Sequence, residues 1–420
     1  MKSLIFMLFL MTLKSYSNDF LELNDEIIEW RRYLHENPEL SNREFNTSKF
    51  VSEKLIEFGL EVQTNIAHTG VVAVLVGNAS GPTVALRADM DALPISENVD
   101  LKFRSYKKTV FNGDSVGVMH ACGHDAHVAI LLATAKYLSE NKSKLKGKVK
   151  FIFQPAEEGA PNGEEGGASL MIKEGVLKKP DVDVIFGLHV MSKIESGKIA
   201  HKAGGFMAAV DKLEIVVKGK QSHGARPWSS VDPIIVSSQI INSLQTIVSR
   251  KLNISNEPAV ISIGKINGGV RSNIIPEKVE LLGTIRSLDP DMQKTIHENI
   301  RKICTNLGEA HGAKVDVNIT ELAPVTYNEL ELSEWSKNVL NEKLGSENVV
   351  LTKPSTVGED FAYYQQIIPG FYFSLGVRPI GLTENEAPEH HTAEFYIDES
   401  NLWVGVKAFT ELTLEYLNSN

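Results

Sequence analysis

The 420-residue chain is poor in cysteine, has no excess of basic residues, and carries no long apolar run beyond its first residues. Two cysteines, Cys122 and Cys304, cannot build the disulfide framework on which small exported proteins rely, so the fold must rest on its core. A net charge of −10 excludes a general nucleic-acid binder, which needs a basic face, and no polybasic stretch suggests attachment to a membrane surface. Past residue 17 no stretch offers the roughly 20 apolar residues of a transmembrane helix, so stable membrane insertion is not expected. Tandem repeats and low-complexity segments are also missing.

The first 17 residues differ from the rest. Lys2 precedes an apolar run from Leu4 to Leu13, and small Ser15 and Ser17 follow at the −3 and −1 positions of a cleavage site. That pattern reads as a signal peptide over residues 1–17 and implies export to the periplasm or the medium, with an uncleaved anchor as the alternative.

Beyond that segment, helix and strand alternate. "NDEIIEWRRYLHENPEL" reads as a helix capped by Asn24 and stopped by Pro38. A second helix is expected near Thr47 to Phe58, and a third from about Asp125 to Glu140. "VVAVLVG", "PTVALRAD", "KVKFIFQ" and "DVIFGLHV" are strands apolar enough to be buried on both faces of a sheet, which predicts α/β layering. From about residue 208 the strands instead alternate polar and apolar, as antiparallel strands with one wet face do. Two amphipathic helical stripes, one from Ile240 to Val248 and one from Met292 to Leu307, complete a β-α-β-β-α-β order, the ferredoxin-like arrangement. Cys304 lies within the second stripe and reads as a buried small apolar residue. The expected architecture is an α/β catalytic domain on a mixed sheet, residues 18–207 and 322–420, interrupted by this inserted domain at 208–321.

Several groups of residues carry chemistry. "MHACGHDAH" places His120, Cys122, His124 and His127 in a turn that leads into a helix. Alone, the cluster is compatible with metal ligands, with a thiol nucleophile and its base, or with a polar helix start. "QPAEEG" delivers Glu157 and Glu158 at the C-terminal end of an apolar strand, the edge where ligands bind in open α/β sheets. Adjacent carboxylates repel unless a cation sits beside them. His189 of "GLHV", His390 or His391 of "EHHTAEF", and Arg87, Asp89 and Asp91 of "RADMDALPI" add to the same edge. Cysteine, histidine and glutamate converging on one sheet edge indicate a metal site.

"RRYLHENPEL", "RADMDALPI", "MHACGHDAH", "QPAEEG", "GLHV", "QSHGARP" and "TVGEDFAYY", in this order from about residue 24 to 415, resemble the co-catalytic metallopeptidase family that includes hippurate hydrolase, bacterial aminoacylases and plant auxin-conjugate hydrolases. The resemblance implies Cys122, His124, Glu158, His189 and His391 as ligands of two divalent ions, zinc or manganese foremost, with cobalt or nickel also compatible. Ala393 stands where the family pattern has proline, which leaves the part played by His390 open. Glu157 matches the general base that takes the proton of a water held by the metals, and Asp89 an aspartate that orients a ligand. Such a site would not need a cysteine nucleophile.

The resemblance also makes the inserted domain a lid or dimerisation domain. There His223 of "QSHGARP" would reach a substrate oxyanion, while Asn273 and Arg286 would hold a substrate carboxylate. The expected activity is hydrolysis of the amide of N-acyl amino acids or short peptides by a homodimer or homotetramer. The alternatives are a dipeptidase or carboxypeptidase of the same fold and a catalytically silent binding protein.

Overall fold

A computed structural model describes residues 19–419; the signal segment read from residues 1–17 lies outside them. The described residues form two compact units. The first runs through Ala203, resumes over Asn328–Thr352 and again from Tyr364; the second comprises Gly204–Tyr327 and Lys353–Tyr363. The chain is α/β, as its alternation of elements predicts.

The first unit is built on an eight-stranded mixed sheet with the spatial order Glu61–Ile66, Gly70–Val76, Lys146–Gln154, Ala79–Asp89, Val184–Met191, Gly370–Gly376, Ile199–His201, Val349–Leu351. Its four central strands, Lys146–Gln154 to Gly370–Gly376, run parallel, so their C-terminal ends share one edge. Asp89 pairs with Gln154 there, and His189 with Ser374. The helix His124–Glu140 packs on this sheet and against the helices Asn24–Glu36 and Trp403–Ser419. Every side chain from Val128 to Ala135 on it is buried, which is why its sequence is apolar all round rather than striped.

Gly123 holds the turn into this helix at φ 91°. A Cβ there would meet Cγ2 of Val190 at 2.3 Å, so glycine is required both for the left-handed backbone and for the close approach to the neighbouring strand. At the N-terminal helix one expectation fails. Leu23, not Asn24, is the capping position, and no side chain caps the helix. Asn24 is inside the first turn, where its Oδ1 accepts from the backbone N of Trp403 at 3.3 Å; a tertiary contact has claimed the capping group.

In the second unit an antiparallel sheet has the order Ala259–Gly268, Lys278–Ser287, Ala209–Lys218, Lys314–Ala323. The helices Pro233–Lys251 and Pro290–His311 pack against it, each opened by an aspartate cap, Asp232 and Asp289. Leu213, Ile215, Ile240, Leu244, Ile285, Ile296, Ile300 and Cys304 form its core. Relative to the expected insert of 208–321, the unit starts earlier and ends later. Gly204–Met207 pairs with Thr326–Asn328, and the returning segment Lys353–Tyr363 joins through Ala208 N donating to Val357 O at 2.9 Å.

Truncating Ile300, which is fully buried in this core, leaves a cavity. Ile300→Ala is expected to destabilise the second unit by roughly 2–5 kcal/mol, read as a lowered urea midpoint. A shift of less than about 0.5 kcal/mol would contradict the packing described.

Candidate metal centre

The parallel strands and the Gly123 turn bring the five candidate ligands and Glu157 together in the first unit. Cys122 Sγ lies 3.4 Å from His189 Nε2 and 3.2 Å from His391 Nε2. His391 Nε2 is in turn 3.1 Å from Glu158 Oε1. His124 Nε2 stands 3.9 Å from both Glu157 Oε2 and Glu158 Oε1. The donor atoms of Cys122, His124 and His189 fall within 4.8 Å of one another, as do those of Cys122, Glu158 and His391, and those of His124, Glu157 and Glu158. Cys122 is common to the first two groups, and Glu157 sits beside them.

Hydrogen bonds behind two of the histidines turn their Nε2 atoms toward the cluster. His189 Nδ1 donates to the carbonyl of Val190 at 2.7 Å, and His124 Nδ1 to the carbonyl of Asp91 at 2.8 Å. Both rings therefore present an unprotonated Nε2 when neutral, the tautomer a metal ion takes. His124 Nε2 is a buried atom with no hydrogen-bond partner, and Glu158 Oε1 meets His391 Nε2 at 3.1 Å. A buried polar atom left unpaired in this way is costly unless a partner or an ion meets it. The donor set, a thiol, three imidazoles and a carboxylate, therefore fits divalent metal ions.

The electrostatics agree. Burial works against a charge on His124, yet Asp89, Asp91 and Glu158 outweigh it and lift its pKa to about 10. The pocket thus keeps a proton on His124 to balance its carboxylates, and a metal ion would displace it. Burial, reinforced by Glu158, Glu157 and Asp89, pushes the Cys122 thiol well above its ordinary range. A thiol so placed is a poor free nucleophile but becomes a thiolate when it meets a cation.

The neighbouring histidines are otherwise engaged. His127 donates from Nδ1 to Asp89 Oδ1 at 2.5 Å and accepts at Nε2 from the backbone N of Val190 at 2.8 Å, so it braces the strand and has no lone pair to offer. His390 donates from Nε2 to the Val190 carbonyl at 3.0 Å, and burial lowers its pKa to about 4. His391, not His390, faces Cys122 and Glu158. His120 is buried with neither ring nitrogen bonded, and burial lowers its pKa to about 3.

Asp89 and Asp91 divide the supporting work. Asp89 receives Arg87 Nη1 at 2.5 Å as well as His127; burial favours its neutral acid, but Arg87, His124 and His127 hold it well below the usual carboxylate range. Its Oδ2 is 3.9 Å from His124 Nε2. Asp91 does more of the orienting. Its carboxylate accepts from the backbone N of Glu157 at 3.1 Å, the backbone N of Glu158 at 3.0 Å and Ser41 Oγ at 2.7 Å, and it lies 3.3 Å from His124 Nδ1. Glu44 supports the residue before them: its Oε1 accepts from the backbone N of Ala156 at 2.9 Å, where Ala156 adopts a left-handed φ of 54°. Burial, then the nearby Asp91 charge, raises the Glu44 carboxyl to about 8. The spacing in "RADMDALPI" places Asp91 at this edge, but no motif singles out Ser41 or Glu44.

Asp125, one residue past His124, is anchored by Arg31 Nε at 2.7 Å and His35 Nδ1 at 2.8 Å. Arg31 Nη1 also reaches Glu399 Oε1 at 2.8 Å, tying three distant parts of the chain to the start of the site helix.

The three substrate candidates belong to the second unit. His223 and Asn273 are neighbours on a short ladder, Ser222–His223 with Ile274–Ile275, where Gly224 N donates to Asn273 O at 2.8 Å. His223 is exposed, and its Nδ1 accepts from the backbone N of Ala225 at 3.0 Å. Arg286 is not with them. It pairs with Val210 near the far end of the strand Lys278–Ser287, and its guanidinium donates to Ile285 O at 3.0 Å and to Thr284 Oγ1. At about 3.3 Å per residue, the strand separates Arg286 from the His223 end by roughly 25 Å.

The profile of peptidase family M20/M25/M40 matches residues 85–415. The chain is 41% identical over 407 residues to thermostable carboxypeptidase 2 of Saccharolobus solfataricus, covering 96% of this chain and 98% of that one. It is 38% identical over 414 residues to the N-acetyl-L-cysteine deacetylase of Bacillus subtilis, covering 98% and 93%. The crystal structure of the Bacillus subtilis YXEP protein, a dinuclear metal binding peptidase, aligns with a TM-score of 0.80 at 35% identity, over 95% of this chain and 99% of that one. A profile match over most of the chain and relatives alike along nearly its whole length make it a member of peptidase family M20/M25/M40, and so a metal-dependent hydrolase of the amidohydrolase and peptidase kind.

Proposed function

We propose that this hydrolase cleaves the amide bond of N-acyl amino acids, with Cys122, His124, Glu158, His189 and His391 holding two divalent metal ions. The observation that carries the reading is the convergence of inward donor atoms, with His124 Nε2 unpartnered and 3.9 Å from the Glu157 and Glu158 carboxylates. Likeness to a dinuclear peptidase structure and to an N-acetyl-L-cysteine deacetylase supports it. The thiol favours zinc, and the carboxylate and imidazoles accept manganese as well. Bound there, such ions supply Lewis acidity that polarises a carbonyl and acidifies a water.

The protein's own groups do the rest. Glu157 takes the proton of the attacking water and returns it to the leaving nitrogen. Asp91, gripping the backbone of Glu157 and Glu158, keeps base and ligand in fixed relation, and through His124 Nδ1 it fixes the ring that lies beside both. His223 donates to the oxyanion, and Asn273 and Arg286 bind the carboxylate of the amino-acid moiety. One copy of the second unit cannot bring Arg286 to the same small substrate as His223 and Asn273. Two copies pairing through that unit can, and we read the protein as a homodimer, or a tetramer of such dimers. Export by way of residues 1–17 belongs to the same reading.

The likeness to a carboxypeptidase keeps dipeptides as the second class to test. With zinc or manganese restored, wild type is expected to cleave N-acyl amino acids faster than the matching dipeptides, and the reverse order would favour the peptidase. Glu157→Gln should lower kcat by about 10²–10⁴ while metal content, measured by mass spectrometry, stays at the wild-type level. An active Glu157→Gln enzyme would remove Glu157 as the base. His223→Ala should cost about 10²–10³ in kcat, and light scattering should give at least a dimer. A protein that is only monomeric would contradict the two-copy reading.

A further inference from the structure

The strand Lys146–Gln154 is followed by Pro155 and then by a turn, Ala156 to Gly159, in which Gly159 N donates to Ala156 O at 3.4 Å. Glu157 and Glu158 are the central residues of that turn, so its backbone sets where both carboxylates point. The turn lies past the ladder, which reaches the pair of Gln154 with Asp89, and side chains hold its amides instead. Asp91 takes the amides of Glu157 and Glu158. The amide before them, Ala156 N, belongs to Glu44, whose Oε1 accepts it at 2.9 Å. Two carboxylates from different segments thus grip three successive amides.

Ala156 is where the grip matters most. Its φ of 54° is a left-handed backbone that costs an L-residue energy. The residue is buried, and a Cβ on Gly166 would meet the Ala156 Cβ at 3.1 Å, so the space around it is closed. Released from Glu44, Ala156 would gain by relaxing to negative φ, and the directions of Glu157 and Glu158 would turn with it.

Glu44 is free for this task because the helix it precedes does not use it. It occupies the capping position of Phe45–Glu57, yet its side chain makes no capping bond. Glu39 serves there, accepting from the backbone N of Asn46 at 2.8 Å and of Thr47 at 2.9 Å. The fully buried Glu44 carboxyl is directed to Ala156 and to Thr69, whose Oγ1 donates to Oε2 at 2.6 Å. Burial and the nearby Asp91 charge disfavour its ionised form, so a carboxyl at this place is costly and the helix gains nothing in return.

We propose that Glu44 is a positioning residue: by holding Ala156 N it keeps the turn in the conformation that aims Glu157 as base and Glu158 as metal ligand. The proposal deepens the amidohydrolase reading above and rests on it for the roles of those two carboxylates.

The test compares wild type with Glu44→Leu, Glu44→Gln and the double variant Glu44→Leu/Ala156→Gly, each as the full chain. The readouts are kcat and KM of the zinc-loaded proteins on N-acetyl- and N-benzoyl-L-alanine, and zinc affinity by competition with a chromophoric chelator. Leucine fills the space without offering an acceptor. Glu44→Leu should lower kcat about 100-fold with KM changed less than about threefold, and should weaken zinc binding about tenfold. In Glu44→Gln the amide oxygen still accepts from Ala156 N and the amide nitrogen can donate to Thr69 Oγ1, so both readouts should stay within about threefold of wild type. Glycine adopts the left-handed backbone without strain, so adding Ala156→Gly to Glu44→Leu should restore kcat by about tenfold.

A role in stability alone predicts a lower melting temperature with kcat per folded, metal-loaded molecule unchanged. That result, equal damage in Glu44→Gln and Glu44→Leu, or no recovery in the double variant would each overturn the proposal. Should Glu44→Leu fail to fold, Thr69→Val takes its place, since it removes the donor to Oε2 and loosens the Glu44 carboxyl. Its kcat should fall about fivefold and recover with Ala156→Gly, and an unchanged kcat would overturn the proposal. If wild type cleaves neither substrate, zinc affinity decides. Weaker binding in Glu44→Leu, kept in Glu44→Gln and restored by Ala156→Gly, leaves the positioning role standing while the reaction assignment falls. Equal affinities throughout sink the positioning role.

Discussion

Concentrated negative charge at one buried sheet edge is the constraint on which the rest of the site depends. Asp89, Asp91, Glu157, Glu158 and a thiol converge there, with the Arg87 guanidinium as a buried counter-charge. Carboxylates do not crowd together in low dielectric unless a cation or a proton balances them. Part of the balance falls to His124, whose pKa Asp89, Asp91 and Glu158 lift to about 10 against the effect of burial. Divalent ions would balance the remainder far better, and their binding would release protons from His124 and Cys122.

That concentration is maintained by bonds made mostly to the backbone. Asp91 grips two successive amides of the Glu157–Glu158 turn, Glu44 grips the amide before them, and Val190 accepts from His189 and His390 while donating to His127. Gly123 permits the site helix to begin against Val190. The ion-paired Arg31, shared by Asp125 and Glu399, locks the start of that helix to both ends of the chain. Precision at the donors thus comes from the scaffold behind them, as a centre that must hold its ligands in fixed positions requires.

Much of this architecture is legible in the sequence. Strands such as "PTVALRAD" announce a doubly buried sheet, and the stripes around Leu244 and Ile300 announce the helices of the second unit. Cys122, His124, Glu158, His189 and His391 stand in motifs whose order carries the family resemblance. What stays hidden depends on tertiary approach. Ser41 and Glu44 act by meeting a backbone amide or a carboxylate from far along the chain, and such contacts leave no periodicity to read. Asn24 has the chemistry of a cap but bonds to Trp403. The segment Lys353–Tyr363 returns to the second unit through pairing that no local pattern encodes.

The most direct measurement is X-ray absorption at the metal edge of the zinc-loaded protein. A two-metal centre built on Cys122 predicts a sulfur scatterer at about 2.3 Å, with nitrogen and oxygen at about 2.0–2.2 Å. It also predicts a metal–metal vector at about 3.5–4 Å. The sulfur contribution should vanish in Cys122→Ser. A shell of nitrogen and oxygen alone in wild type, with no second metal nearby, would contradict the two-metal centre.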